Sequence, residues 1–117
     1  MHELSIAYNL VQIAEETARI NQFQTVDVVH VKIGVLAGVV KEALLFSFDV
    51  ATEGTSIEKA KLVVEEVPIK VYCSHCHDEF TLENPIPLRC PECEKSSNQI
   101  IEGKEIELYS IEGDVQT

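Results

Sequence analysis

The stretch TVDVVHVKIGV, residues 25–35, decides the fold of this chain. It is rich in β-branched residues and is bounded by Gly34 and Gly38, so it predicts a β-strand. Because side chains alternate along a strand, three branched aliphatic residues share one face: Val29, Val31 and Ile33. An apolar face of this kind has to pack against other elements, and the flanking sequence contains the candidates.

Two segments with helical periodicity lie on either side of this strand. Residues 4–20, LSIAYNLVQIAEETARI, place their apolar side chains on one arc of a helical wheel. The arc contains Leu4, Ala7, Leu10, Val11, Ala14 and Ala18, and it is extended by Ile6, Ile13 and Ile20. Such a broad arc is typical of a helix that packs on a sheet. Residues 39–51, VVKEALLFSFDVA, predict a second helix, which the turn EGTS at 53–56 ends.

Further strands are predicted at residues 60–67, AKLVVEEV, and at 102–114, EGKEIELYSIEGD. The order strand, helix, strand predicts that the first two strands pair in parallel through a right-handed connection. The last strand is expected to return to the same sheet. The intervening residues, 69–100, show little periodicity after a short strand, IKVYC, and they hold all four cysteines.

The four cysteines form two pairs with metal-ligand spacing. Cys73-Ser-His-Cys76 is followed, after thirteen residues, by Cys90-Pro-Glu-Cys93. Each CxxC can form a tight turn that aims two thiolates at one point, and two such turns make a tetrahedral sulfur site of the kind that zinc fills. A polar segment this short needs the metal to fold. Four thiolates leave no open coordination position, so the site is expected to be structural rather than catalytic.

Other interpretations of the cysteine segment stay open. A single CxxC is also a thiol–disulfide redox motif, and four cysteines also hold iron–sulfur clusters. His75 and His77 flank Cys76, where an imidazole can replace a thiolate or can be a polar filler. Many zinc knuckles carry a glycine after the second cysteine. His77 and Glu94 occupy those positions here, so both turns are expected to form without glycine.

The charge of the chain limits its partners. The 117 residues carry a formal net charge of −11. Such a surface repels phosphate backbones and anionic lipids, so neither a nucleic acid nor a membrane is expected as a partner. The first residues lack the basic start of a signal peptide, and no apolar run is long enough to span a bilayer. We expect a cytoplasmic protein, whose thiols stay reduced and bind metal rather than form disulfides.

These segments together predict an α+β fold, with two helices packed on a small mixed sheet and an inserted zinc-ribbon-like subdomain. The predicted main domain, of α/β type, comprises residues 1–67 and 103–117. The predicted zinc-binding subdomain comprises residues 68–102. An insertion between two strands permits strand exchange, so a second copy of the chain is an open partner.

The opening MHELS raises the question of a second metal site. A free amine at Met1, the backbone nitrogen and imidazole of His2, and a backbone or carboxylate donor from Glu3 can enclose a metal in a flat array, which suits Ni(II) or Cu(II). In the ordinary interpretation, Glu3 favours the dipole at the start of a helix and His2 is a solvent-exposed polar residue. Residue chemistry alone leaves both interpretations open.

The chain resembles the HypA/HybF nickel metallochaperones over nearly its whole length, from Met1 to about Gly113. The resemblance rests on MHE before an amphipathic helix, then on VxxVxVxIGxLAGV, LxFxFDVAxEGT and AxLVVEEVP, and on the two spaced CxxC pairs. It implies that His2 is the essential nickel ligand, with the Met1 amine and Glu3 in neighbouring donor positions. It also implies that four residues are structural zinc ligands: Cys73, Cys76, Cys90 and Cys93. The main domain would then be the nickel-binding one.

Members of this family work with the GTPase HypB and help to deliver Ni(II) to the precursor of the hydrogenase large subunit, and some also serve urease maturation. The resemblance therefore implies a delivery protein with Ni(II) as cargo and Zn(II) as a structural ion. No enzymatic activity is expected, since the sequence has neither a P-loop nor a Ser/His/Asp set. Two alternatives stay open: a zinc-ribbon protein-interaction module, which leaves MHE without a role, and a thiol oxidoreductase.

Overall fold

The computed structural model describes residues 3–83, 88–97 and 99–115. Within these ranges the chain forms two α-helices, α1 at Glu3–Ile20 and α2 at Lys41–Thr52. It also forms six strands and one 3₁₀ turn, with the bounds β1 Val28–Gly34, turn Val35–Ala37, β2 Lys61–Val67, β3 Ile69–Cys73, β4 Asp78–Leu82, β5 Gln99–Glu102 and β6 Ile106–Glu112. Both predicted helices and the strands predicted in and around the main domain are confirmed, with ends that shift by a few residues.

The first sheet has the strand order β2-β1-β6, so the strand predicted within residues 25–35 lies at its centre. The N–H of Lys61, where β2 begins, donates to the carbonyl of Asp27 at 2.9 Å. The two strands thus begin at the same edge, as parallel strands do. The N–H of Asp27 donates to the carbonyl of Glu112 at 2.7 Å, which places the end of β6 beside the start of β1 in antiparallel fashion. The predicted mixed sheet is confirmed.

The burial of β1 follows its alternation. Val29 and Val31 are completely buried, whereas His30 and Lys32 on the other face are half-buried. Helices α1 and α2 pack against each other. Their buried side chains are Ala7, Leu10, Val11, Ala14 and Ala18 on α1, and Leu44, Phe48, Ala51 and Thr52 on α2.

The apolar arc of α1 is narrower than the sequence predicted. Leu4, Ile13 and Ile20 expose 43%, 49% and 64% of their surface. The buried positions recur at intervals of three and four residues and form a single stripe along the helix. A helix with one stripe in the core leaves the margins of a broader apolar arc in solvent, and these three side chains lie at those margins.

The second sheet has the order β4-β3-β5 and is antiparallel throughout. Val71, in its central strand, lies opposite Phe80 on one side and Ile100 on the other. A small apolar cluster stabilises this sheet; its members are Ile69, Val71 and Leu82, with Leu36, Leu88 and Ile100 packed against them. Of its three strands only β3 was predicted, because the segments DEFTL and QIIE are too short and too polar to show a clear alternation.

By its internal contacts the chain divides into two compact units. One comprises Met1–Lys32, Val39–Glu65 and Glu107–Thr117, and the other comprises Ile33–Gly38 and Glu66–Ile106. The assignment of nickel to residues 1–67 and 103–117, and of zinc to residues 68–102, stays a prediction. Neither of the described helices is both long enough and apolar enough to cross a membrane.

Candidate metal centre

The first CxxC forms the turn between β3 and β4. Cys73, the last residue of β3, lies opposite Asp78, the first residue of β4. The N–H of His77 donates to the carbonyl of Cys73 at 2.8 Å and closes the turn. The N–H of Cys76 donates to the Sγ of Cys73 at 3.4 Å. Backbone hydrogen bonds within the turn therefore hold the first pair of thiols in place.

The second CxxC, from Cys90 to Cys93, repeats this construction. The N–H of Glu94 donates to the carbonyl of Cys90 at 2.9 Å, in the same way that the first turn is closed. The N–H of Cys90 in turn donates to the carbonyl of Lys95 at 2.9 Å. Two turns of the same type thus present four thiols.

The sulfur atoms of the two turns come together. The Sγ of Cys73 lies 3.6 Å from that of Cys93, and the Sγ of Cys76 lies 3.8 Å from that of Cys90. All four lie within 4.8 Å of one another. A tetrahedral ion with sulfur ligands at about 2.3 Å requires sulfurs that are about 3.8 Å apart, so the arrangement fits one metal ion. All four thiols are free, and the separations are far longer than the roughly 2.05 Å of a disulfide, as the sequence predicted.

Burial and hydrogen bonding make the four thiols unequal. Cys73 and Cys90 are buried, whereas Cys76 and Cys93 are half-buried. The N–H of Cys76 contributes most to the low pKa of the Cys73 thiol, about 6. Burial, together with the neighbouring thiols, raises the pKa of Cys76 to about 12. A metal ion at the centre would displace the thiol protons, which couples metal binding to proton release.

The turns form without glycine, as predicted. His77 has a φ of 55° and Glu94 a φ of 63°, so each occupies the left-handed position that glycine often fills. The other histidine of the segment, His75, is exposed, and its Nδ1 accepts a hydrogen bond from the Nζ of Lys95 at 3.3 Å. This contact joins the two turns through a polar side-chain pair, which agrees with a filler role for His75.

The predicted N-terminal site is only partly within the described residues. Met1 and His2 lie outside them, so their role as nickel ligands stays a prediction. Glu3 is the first residue of α1, and its Oε2 accepts a hydrogen bond from the N–H of Val40 at 3.1 Å. Sequence reasoning did not single out Val40. The available signal was that Val40, at the start of α2, has no side chain that can cap the helix, so that a cap from elsewhere in the chain is needed.

Comparison with known proteins shows the family. The family described as "Hydrogenase/urease nickel incorporation, metallochaperone, hypA" matches residues 1–113. The chain belongs to this family. The match spans the MHE start as well as both CxxC pairs, so it confirms the resemblance to the HypA/HybF family.

Relatives of the HypA family cover the chain almost completely. The chain is 49% identical to the "Hydrogenase maturation factor HypA" of Chloroflexus aurantiacus over 112 residues, which are 96% of this chain and 98% of that protein. It is 38% identical to the protein of the same name from Picosynechococcus, with the same coverage. The solution structure of the Ni metallochaperone HypA from Helicobacter pylori matches with a TM-score of 0.74 and 26% identity, covering 99% of this chain and 100% of that one.

The solved HypA structures share the architecture found here, with two helices and small sheets. In this chain, four cysteines also cluster closely enough to hold a metal ion. The predicted fold class is therefore confirmed. The family is one of metallochaperones and maturation factors.

Proposed function

We propose that this protein binds Ni(II) as cargo at its N-terminus and delivers it during the maturation of nickel–iron hydrogenases. A structural Zn(II) ion is held by Cys73, Cys76, Cys90 and Cys93. The observation that carries the proposal is the HypA match over residues 1–113, which includes the MHE start and both CxxC pairs.

The chemistry of the first residues supports nickel as the cargo. The amine of Met1, the backbone nitrogen of His2 and its imidazole form fused chelate rings, and planar nitrogen donors suit Ni(II) better than Zn(II). The site requires a free amine at Met1. A few donors at a chain end hold the ion and also let a partner's ligands displace it, whereas a closed cage of thiolates would retain it.

The sulfur geometry supports zinc at the cysteines. Four thiolates suit zinc or iron. In a multi-iron cluster the cysteines bind different iron atoms and therefore spread around a larger object. Sulfurs that all lie within 4.8 Å of one another surround a single ion instead. Zinc has no redox chemistry in proteins and accepts tetrahedral sulfur geometry, so its role here is to stabilise the three-stranded sheet that carries the turns.

The proposed partners are a HypB-type GTPase and the precursor of the hydrogenase large subunit. Delivery takes place when donors of the partner compete for the ion with His2 and the Met1 amine. The net charge of −11 favours a partner with a basic docking surface.

The experiment compares native protein that begins at Met1 with His2→Ala and with a variant that carries an extra segment before Met1. Metal analysis and nickel titration are expected to find about one zinc and about one nickel per chain in the native protein. Both variants are expected to lose the nickel and to keep the zinc, because neither change touches the cysteines.

His75→Ala is the matched control, since it removes an exposed histidine beside the cysteines and is expected to leave nickel binding intact. Undiminished nickel binding by both N-terminal variants would contradict the proposal. Loss of nickel in His75→Ala, with retention in His2→Ala, would place the nickel at the cysteine turns and would contradict it as well.

A further inference from the structure

A groove of about 360 Å³ lies between the middle of α1 and the end of α2. Its floor is apolar, since it contains Val11 and Ala51, which expose only 4% and 3% of their surface. All of its described lining residues belong to one compact unit of the chain. Ligand pockets usually measure about 300 to 1,000 Å³, so a groove of this size takes a single long side chain rather than a helix or a strand.

One wall of the groove is a stripe along α1. Tyr8, Gln12 and Glu15 recur at intervals of four and three residues, which places them on one face of the helix. The stripe is about 10 Å long, with an aromatic ring at one end, a carboxylate at the other and the amide of Gln12 between them. Tyr8 exposes 52% of its surface, so its ring is accessible to a ligand.

The opposite wall has negative character. Glu53 directly follows the last residue of α2 and is exposed. The last turn of α2 has no basic residue, although the dipole of a helix favours a cation at this end. Thr55 completes the wall, and its hydroxyl already donates to the carbonyl of Thr52 at 2.7 Å. This wall therefore presents a carboxylate together with the negative end of a helix.

The two carboxylates of the groove are not balanced by cations of the chain. Glu15 is half-buried, and its Oε2 accepts the hydroxyl of Ser56 at 2.9 Å. A carboxylate accepts several hydrogen bonds, so Glu15 keeps the capacity to bind a further donor. In the part of the chain that the structure describes, no ion pair involves Glu15 or Glu53, whereas Glu16, next to Glu15 on α1, pairs with Arg19.

We propose that this groove is a docking site for an arginine side chain of a protein partner. A guanidinium stacks on an aromatic ring and donates hydrogen bonds to carboxylates in a fixed fork, and the groove offers a tyrosine ring and two glutamates. The aliphatic part of the arginine lies on the apolar floor.

Charge complementarity decides the occupant. The described lining of the groove contains two carboxylates and no basic residue, which disfavours an acidic side chain. A second copy of the chain is disfavoured as well, because each copy carries a net charge of −11. The inference rests on the groove itself and not on the proposed nickel cargo, so a failure of nickel binding would leave it standing.

The experiment titrates the full-length protein with Nα-acetyl-arginine methylamide, which represents an arginine within a polypeptide, and follows backbone amide signals by NMR. Saturable shifts are expected at Gln12 and Glu53. The matching citrulline compound has the same shape without the charge and is expected to bind at least about 10-fold more weakly, since it loses the charge-assisted hydrogen bonds. The matching lysine compound is also expected to bind more weakly, because an ammonium lacks the planar fork.

Substitutions in the groove test its two walls. Glu15→Gln and Glu53→Gln are each expected to weaken arginine binding about 2- to 5-fold, the usual effect of a partly exposed ion pair. Tyr8→Leu is expected to weaken it by a similar factor, whereas Tyr8→Phe keeps the ring and should bind as the wild type does. Glu16→Gln is the matched control, because it removes the same charge from α1 outside the groove and should leave binding unchanged.

The inference is overturned if Glu16→Gln weakens binding as much as Glu53→Gln, since the attraction would then come from the overall charge. Binding of the citrulline or the lysine compound as tight as that of the arginine compound would also overturn it. Tighter binding of spermidine would show that the groove takes a small polyamine rather than a side chain of a protein. Absence of shifts at the groove residues would exclude the site altogether.

Discussion

The backbone of Gly34 approaches that of Gly103 so closely that a Cβ atom on Gly34 would lie 2.1 Å from the carbonyl carbon and oxygen of Gly103. The N–H of Leu36 donates to the same carbonyl at 2.7 Å, so a hydrogen bond fixes the approach. Gly34 is thus required for its lack of a side chain, since its own φ of −72° is accessible to any residue.

Gly34→Ala is expected to lower the free energy of unfolding by at least about 2 kcal/mol, because neither backbone segment can move without breaking hydrogen bonds. Gly38→Ala is the control. Gly38 has a φ of 73° with no atom within 4 Å of the added Cβ, so only the left-handed backbone opposes the change, at about 1 kcal/mol. Urea unfolding of the metal-loaded proteins measures both. A larger loss for Gly38→Ala would contradict the close approach.

Two phenylalanines of α2 provide a test of the core. Phe48 is completely buried, whereas Phe46, two residues earlier, exposes 71% of its surface. Phe48→Ala is expected to cost about 3–5 kcal/mol through lost burial and the remaining cavity. Phe46→Ala is expected to change stability by less than about 0.5 kcal/mol. Thermal unfolding followed by circular dichroism compares the two, and similar costs would show that the burial of α2 is wrongly assigned.

The second cysteine turn is expected to gain stability from a glycine. Glu94 adopts a left-handed backbone, so Glu94→Gly should raise the free energy of unfolding of the metal-loaded protein by about 0.5–1 kcal/mol. Ser74, in the first turn, is not among the residues with a left-handed backbone. Ser74→Gly is therefore expected to lower the free energy of unfolding by a similar amount. Paired urea titrations distinguish the two signs. A loss of stability in Glu94→Gly would argue against strain at this position.

Removal of the metal from the cysteines is expected to unfold β3, β4 and β5 selectively. Their apolar cluster is small, and a short polar segment of this kind depends on its metal ion for folding. In Cys76→Ser, or after chelation, amide protection at Val71 should fall steeply while that at Leu10 in α1 persists. Hydrogen exchange read by NMR measures both sites. Unchanged protection at Val71 would show that the sheet is stable without metal.

Periodicity identified the elements that have one buried face. The strand around Val31 and the helix around Leu10 each repeat apolar residues at the interval of their structure, so their existence follows from local sequence. Strands β4 and β5 lack such a repeat and become strands through hydrogen bonds to β3. The apolar pattern of α1 places Ile13 in the buried arc, yet Ile13 is exposed, because the pattern of one helix does not show where a neighbouring helix begins.

The candidate metal sites, like the strands and helices, depend partly on local sequence and partly on tertiary packing. The sequence by itself determined the two CxxC turns, the number of thiols and the MHE start, because residue type and spacing limit which metals can be bound. Only the tertiary structure decided that the four sulfurs surround a single point, and that Glu3 lies on the N–H of Val40. Contacts between residues far apart in the chain depend on how the elements pack, and no local pattern encodes that packing.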